Sequence, residues 1–275
     1  MLVKVNQLLK EAGERHQAVL ALDVFSMESI LWAIEAAERE DYPIILMYYP
    51  GMIDSKMFVD ISKKAAAETK IQVGLIVDHG KDFSTLIDAM KNGMPSVMFD
   101  GSANSFEENI TQTKEIVKIA HELDIDVEGE LGHVGMTSDQ KFFTNSDTYT
   151  NVEQAVQFVK ETGVDSLAVA IGNAHGNYPF EPKLDLERLQ ELRNALDLPL
   201  ILHGGTGIPA EQVIAAIRIG VTKVNVGTSY GAAFYDAMKK VVDDGKITNY
   251  VPAKSVMKEV VIDFVRSWIK IVKAE

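Results

Sequence analysis

Three histidines in this sequence each close an apolar run and stand directly before a glycine: His79 in GLIVDHG, His175 in LAVAIGNAHG and His203 in LPLILHGG. A buried strand ending in His-Gly sets an imidazole at its C-terminal lip beside flexible backbone. Three such ends converge on one point only if the strands run parallel in one sheet or barrel. Neutral imidazoles so arranged make a three-ligand metal site, most naturally zinc with an open coordination position. The chain has no cysteine, so a metal has only His, Asp and Glu to bind.

Further polar residues fall at the same strand ends: Asp78, Asp100, Glu128, Glu130 and Asn225. A lone histidine at such a place is more often a hydrogen-bonded structural residue. Three of them, with carboxylates on one rim, argue for a site. HGGTG (203–207) adds glycines whose backbone N–H groups can turn inward as an anion nest, with the hydroxyl of Thr206 beside them. NVGTS (225–229) again leads into a helix. Either turn alone reads equally well as a tight connection. Following the last two strands of a barrel, the pair reads as a phosphate site. A metal beside a phosphate site suits carbonyl chemistry: the metal polarises the oxygen and stabilises an enediolate while a carboxylate moves the proton.

The elements that must position these groups are legible as short apolar runs alternating with amphipathic ones. Strands are expected at 18–24, 43–49, 73–78, 96–100, 125–130, 166–171, 198–203 and 222–227. Most are near-continuous aliphatic runs, as in parallel strands buried on both faces. Residues 1–17 carry a helix pattern. Another opens at Ser105 with Glu108 three positions on, and a third at Thr150 with Glu153 in the same capping-box relation. A fourth starts at Pro209, a favoured first helical residue. Eight strands alternating with helices predict an α/β fold, a (β/α)8 TIM barrel, with a doubly wound open sheet as the runner-up. No linker divides residues 1–275, so one domain is expected. Residues 132–151 lack periodicity and follow the fifth strand, which makes them a candidate mobile loop over the active face. Residues 253–271 form a last amphipathic helix, with an apolar face to close the barrel floor or to pack on another subunit.

The chain is long enough, at 275 residues and 47% hydrophobic content, for a large core. Its net charge of −13 argues against broad nucleic-acid binding, which needs basic surface. No apolar run approaches the roughly 18 residues of a membrane span, so no membrane partner is expected. The absence of cysteine fits a cytoplasmic setting.

The motifs VGLIVDHG, SVMFDGS followed by FEENI, VEGELG, ETGVDSLAVAIGNAHG, LILHGGTGIP and KVNVGTS run through essentially the whole chain. In this set and order the sequence resembles the class II, zinc-dependent ketose-bisphosphate aldolases, the group of fructose- and tagatose-bisphosphate aldolases. The resemblance implies a lyase of carbohydrate metabolism acting on a phosphorylated sugar. His79, His175 and His203 would hold zinc. Asp78 would be the acid/base that protonates an oxygen in condensation and deprotonates a hydroxyl in cleavage. Glu130 would be an alternative metal ligand and Asp100 an outer or secondary-metal residue. Gly176, Gly204, Gly205, Thr206, Asn225, Gly227 and Thr228 would cradle the dihydroxyacetone phosphate half, Asn225 also contacting the enediolate. A monovalent cation, Na+ or K+, would accompany the phosphate, and the protein would be a homodimer or homotetramer.

Departures from the family pattern cluster on the aldehyde side. Tyr49 stands where a serine is usual after the second strand. The first strand reads ALDVFSME, with Asp23 and Ser26 in place of asparagines and Phe25 between them. Pro179 replaces a lysine, and the lid begins GMTSD rather than GGE, leaving Asp139 to substitute for a glutamate proton carrier. The pattern predicts cleavage of a ketose 1-phosphate (or 1,6-bisphosphate) to dihydroxyacetone phosphate and an aldehyde other than glyceraldehyde 3-phosphate, with Tyr49, Phe25 and Ser26 on the aldehyde side. Three alternatives compete: an ordinary fructose- or tagatose-bisphosphate aldolase, a non-catalytic aldolase partner subunit, and another metal-dependent barrel enzyme.

Overall fold

The apolar runs form eight parallel strands that pair in sequence order and close, β1 to β8, into a barrel. The structure is a computed structural model and describes residues 1–139 and 144–274. The strands are β1 (Val19–Asp23), β2 (Ile44–Tyr48), β3 (Val73–Gly80), β4 (Ser96–Phe99), β5 (Asp126–Leu131), β6 (Ser166–Val169), β7 (Leu200–Leu202) and β8 (Val221–Val226). The helices are α1 (Val5–Glu14), α2 (Met27–Arg39), α3 (Ser55–Glu68), α4 (Phe83–Lys91), α5 (Phe106–Glu122), α6 (Val152–Thr162), α7 (Leu186–Ala195), α8 (Ala210–Ile219), α9 (Thr228–Asp244) and α10 (Tyr250–Val272). This is a single-domain (β/α)8 barrel; the open-sheet alternative is excluded by the β1–β8 pairing.

Because side chains alternate along a strand, the apolar runs serve two cores at once. Leu20, Leu46, Leu75, Val97, Val127, Leu167, Leu200 and Val224 face outward into the helical layer. Val19, Ala21, Ile45, Met47, Ile76, Met98, Ala168 and Ile201 fill the barrel interior. Val5, Leu8, Leu9 and Ala12 of α1 join that interior cluster, so α1 closes the barrel floor. The last helix, α10, does not take that place. It packs on the outer wall against α2, α8 and α9, burying Val261, Ile262, Val265 and Trp268.

Two helix starts differ in detail from the sequence reading. Helix α5 begins with the expected capping box of Ser105 and Glu108. Helix α6, however, is capped by Asn151, whose side chain accepts from Gln154 N. Thr150 is instead used between strands: its hydroxyl accepts from Ala170 N at 2.8 Å and donates to Leu131 O, tying the ends of β5 and β6. Pro209 is the residue before α8 rather than its first helical residue. In the loop expected over the active face, Met136 makes a parallel bridge to His175, and Ser146–Thr148 form a 3-10 turn. Residues 140–143 of that loop lie outside the described residues.

Candidate metal centre and active site

The three strand-end histidines meet at the C-terminal mouth of the barrel. His79 Nε2 lies 3.0 Å from His175 Nε2 and 3.2 Å from His203 Nδ1. His79 reaches this point through a backbone irregularity. Its φ is +47°, in the left-handed region that costs a non-glycine residue about 1–2 kcal/mol, and the β3–β4 register shifts across the same residues.

The far nitrogen of each ring is held by an acceptor. His79 Nδ1 donates to Asp100 Oδ2 at 2.8 Å, His175 Nδ1 to Val134 O at 3.1 Å, and His203 Nε2 to Glu128 Oε1 at 2.8 Å. Each partner fixes the tautomer, so three lone pairs converge. Nitrogens bound to one tetrahedral zinc at about 2.0–2.1 Å lie roughly 3.3 Å apart, close to the spacing found. Glu130 Oε1 accepts from Val134 N, while its fully buried Oε2 has no hydrogen-bond partner and lies 3.6 Å from His203 Nδ1. An orphaned carboxylate oxygen beside three lone pairs is costly unless a cation neutralises them. His79, Asp100 and Glu130 form a second group with ligand geometry. The donor set fits zinc.

Without a metal, electrostatics puts a proton at the centre. Burial opposes charge on His79, but Asp78, Asp100 and Glu130 outweigh it and push its ring up to about 10. Burial, and then the His79 and His203 rings, push His175 down to about 3; burial also lowers His203. Burial and the charge of Asp100 push Glu130 up to about 8, whereas Glu128, buried but facing Lys223 and His203, is held down to about 2.

Beside the imidazoles, Asp78 Oδ1 accepts from Asn225 Nδ2 at 3.0 Å. A narrow crevice next to them is lined by Gly176, Gly204, Thr206, Asn225, Gly227 and Thr228. These are six of the seven residues that the resemblance places around a phosphate. The seventh, Gly205, does not line it, because its N–H is bonded to Asn225 O. Gly204 adopts φ +64°, and a Cβ there would stand 2.1 Å from Ala174 O. Gly227 precedes α9 and offers no side-chain cap to that helix's first turn, which suits an anion.

A larger cavity of about 460 Å³ shares Asp23, Asp78 and His175 with the crevice. Tyr49 and Phe25, the residues the sequence reading assigned to the aldehyde side, line it. Ser26 does not line it. It caps α2, its side chain accepting from Ser29 N. Several groups were not assigned to the site from the sequence, although Asp23 was marked there as a departure from the family pattern. Lys81 and His133 line the larger cavity. Asp23 lines both, with one buried oxygen unpartnered, and burial followed by the charge of Asp78 raises its carboxyl well above the usual range. Lys223 is fully buried below the site. The usable signal for Asp23 and Lys223 was a charge in an otherwise apolar strand; Lys81 and His133 lie in loops without a comparable pattern.

A (β/α)8 barrel with convergent imidazoles, a strand-end carboxylate and a glycine-lined crevice at one mouth defines the class as a barrel enzyme. The family model of class II fructose-bisphosphate aldolase matches residues 3–275. The chain is 38% identical over 246 residues to YdjI of Escherichia coli strain K12, covering 88% of each sequence. The crystal structure of the YdjI aldolase from Escherichia coli K12 superposes with a TM-score of 0.87 at 32% identity, over 99% of this chain and 97% of that one. A Coccidioides immitis protein assigned as a fructose-1,6-bisphosphate aldolase gives a TM-score of 0.88 at 29% identity, over 98% of this chain and 96% of that one. This chain therefore belongs to the class II fructose-bisphosphate aldolase family, and is a carbon–carbon lyase. No helix among the described residues is long and apolar enough to cross a membrane.

Proposed function

We propose that this protein is a zinc-dependent aldolase that reversibly cleaves a ketose 1-phosphate to dihydroxyacetone phosphate and an aldehyde other than glyceraldehyde 3-phosphate. The observation that carries this reading is the convergence of three imidazole lone pairs, each aimed by a partner on its far nitrogen, beside Asp78 and the glycine-lined crevice. His79, His175 and His203 hold the zinc, with Glu130 as an alternative ligand and Asp100 orienting His79. Bound there, zinc supplies Lewis acidity to the ketose carbonyl oxygen.

The remaining work falls to the chain's own groups. Asp78 accepts the hydroxyl proton as the carbon–carbon bond breaks, and returns it in condensation. Asn225 holds Asp78 through its amide N–H and lines the crevice beside it. Gly176, Gly204, Thr206, Gly227 and Thr228 surround the phosphate, with a Na+ or K+ ion offsetting charge nearby, and Gly205 supports them through its backbone bond to Asn225. Phe25 and Tyr49 give the aldehyde cavity aromatic walls, which favours a longer or differently substituted aldehyde. His133, Val134, Gly135 and Met136 line this mouth. We place the enzyme in the cytoplasm as a homodimer or homotetramer.

The half-reaction on dihydroxyacetone phosphate can be tested without identifying the aldehyde. Zinc-loaded protein is incubated with dihydroxyacetone phosphate in deuterium oxide, with and without chelator, and the C3 protons are followed by NMR. Stereospecific loss of one proton that the chelator abolishes is expected. Failure of both exchange and dihydroxyacetone phosphate binding would overturn the reaction. Cleavage of fructose and tagatose bisphosphates at ordinary aldolase efficiency would overturn the substrate assignment alone.

A further inference from the structure

Beneath the three imidazoles the barrel holds two charges that take no part in the chemistry above. On β5, Gly129 faces outward against Phe158 and Val164, so Glu128 and Glu130 point inward. On β8, Val224 and Val226 face the helical layer, so Lys223 and Asn225 point inward. Glu128 and Lys223 thus lie one inward layer below Glu130 and Asn225. Neither lines either cavity of the mouth, so neither meets substrate. Both are essentially inaccessible to solvent.

Their contacts form a chain that ends on a metal ligand. Lys223 Nζ donates to Glu128 Oε2 at 2.6 Å. Glu128 Oε1 accepts from His203 Nε2 at 2.8 Å. His203 Nδ1 then faces the convergence point, 3.2 Å from His79 Nε2. The three ligands differ here. The partner of His79 is a carboxylate that also binds Ser102, and the partner of His175 is a backbone carbonyl. His203 alone rests on a carboxylate that is charge-balanced from below.

We propose that Lys223 and Glu128 are positioning residues that fix the tautomer and aim of His203, and so set the affinity and ligand field of the metal centre. This inference rests on the zinc-aldolase reading. A carboxylate with two oxygens held by two different partners cannot swing. Its Oε1 stays on the far nitrogen of His203, and the ring keeps its Nδ1 lone pair inward. A pair serving stability alone has no need of this arrangement. Buried ion pairs are often replaced by apolar side chains without loss, and the neighbouring interior positions are Ala168, Ile201 and Met98.

The experiment compares the full-length protein with Lys223→Met, Glu128→Gln and the double variant. Zinc affinity is measured by chelator competition, the visible absorption of the Co2+-loaded protein is recorded, and the metal-free fold is checked by circular dichroism. Lys223→Met removes the anchor of Oε2, and Glu128→Gln sets an amide donor against either the Lys223 ammonium or His203 Nε2–H. Each is expected to weaken zinc binding about 10–100-fold and to shift the Co2+ bands. The double variant relieves the donor clash and should lose less than the product of the two single losses. Should either single variant fail to fold, the charge-neutral double variant carries the test, with zinc binding about tenfold weaker than wild type expected. Folded variants with wild-type zinc affinity and unchanged Co2+ bands would overturn the proposal while leaving the aldolase reading intact. A wild-type protein that binds no zinc would overturn both.

Discussion

Zinc binding to this site should be coupled to proton release well above neutral pH. In the metal-free protein the carboxylates Asp78, Asp100 and Glu130 outweigh burial and raise His79 to about 10, while His175 sits at about 3 and His203 below its ordinary value. At pH 7 the cluster therefore carries one proton, on the ring whose Nε2 faces the other two nitrogens. Zinc must displace it. Three pH units below the His79 value, that displacement costs about 4 kcal/mol, at about 1.4 kcal/mol per unit. Apparent zinc affinity should rise about tenfold per pH unit from pH 7 to 9. Glu130, raised to about 8, adds to the release wherever it ionises on binding. Three ordinary imidazoles would behave differently, since their protons are largely gone by about pH 8 and the slope would fade there. Isothermal titration of zinc at pH 7.5–8.5, in buffers of different ionisation enthalpy, separates the two cases. Release of at least about one proton is expected; zero release and a flat affinity would refute the electrostatic argument. The same groups make the metal-free fold sensitive to pH. His79 and Glu130 both hold protons in the folded state beyond their unfolded values. Below about pH 6.5 the lowered His175 and His203 oppose this, because they take up protons only in the unfolded state; above it the folded state binds more protons, so metal-free stability should fall as pH rises from about 6.5 to 10.

Three substitutions probe the rest of the site. Asp78→Asn should retain zinc and lose turnover by on the order of a hundredfold or more, read by steady-state kinetics; normal turnover would remove Asp78 from its role. Thr206→Val deletes an acceptor that Ser229 N uses at 3.1 Å and a hydroxyl on the crevice. It should raise KM up to about tenfold with a smaller change in kcat, and an unchanged KM speaks against the phosphate crevice. Gly204→Ala forces a Cβ to within 2.1 Å of Ala174 O at φ +64°. Backbone strain of about 1–2 kcal/mol and overpacking of about 1–3 kcal/mol predict a clear drop in the denaturation midpoint, and a wild-type midpoint contradicts that geometry.

The fold and the meeting of the three histidines were legible in the sequence for one reason. Parallel strands buried on both faces leave long apolar runs, and any polar residue ending such a run stands out. His79, His175 and His203 were visible on that ground, as were Asp78, Glu130 and Asn225. Groups defined by tertiary packing were not. The role of Lys223 depends on which face of β8 points inward and on what stands opposite it across the barrel, and neither is local. Ser26 looked like a lining residue because of its place in the motif, but a serine before a helix is also a favoured cap, and the α2 cap is where its hydroxyl is used. Thr150 looked like a cap, yet its hydroxyl joins the ends of β5 and β6, a pairing made by tertiary structure rather than by local sequence.

The three ligands also differ in what holds them, and this matters for the loop over the mouth. His203 is braced from the barrel interior by Glu128 and Lys223. His175 is held from the other side. Its ring donates to Val134 O, its backbone N–H donates to Gly135 O, and Thr137 N donates to its carbonyl at 2.8 Å. Val134 N in turn donates to Glu130 Oε1 at 3.1 Å. One peptide segment thus holds both His175 and Glu130. Displacement of residues 134–137 would have to move His175 and release Glu130 together, whereas His203 would stay fixed. His203 is therefore anchored from the barrel interior, and His175 from residues 134–137, whose Val134 also holds Glu130.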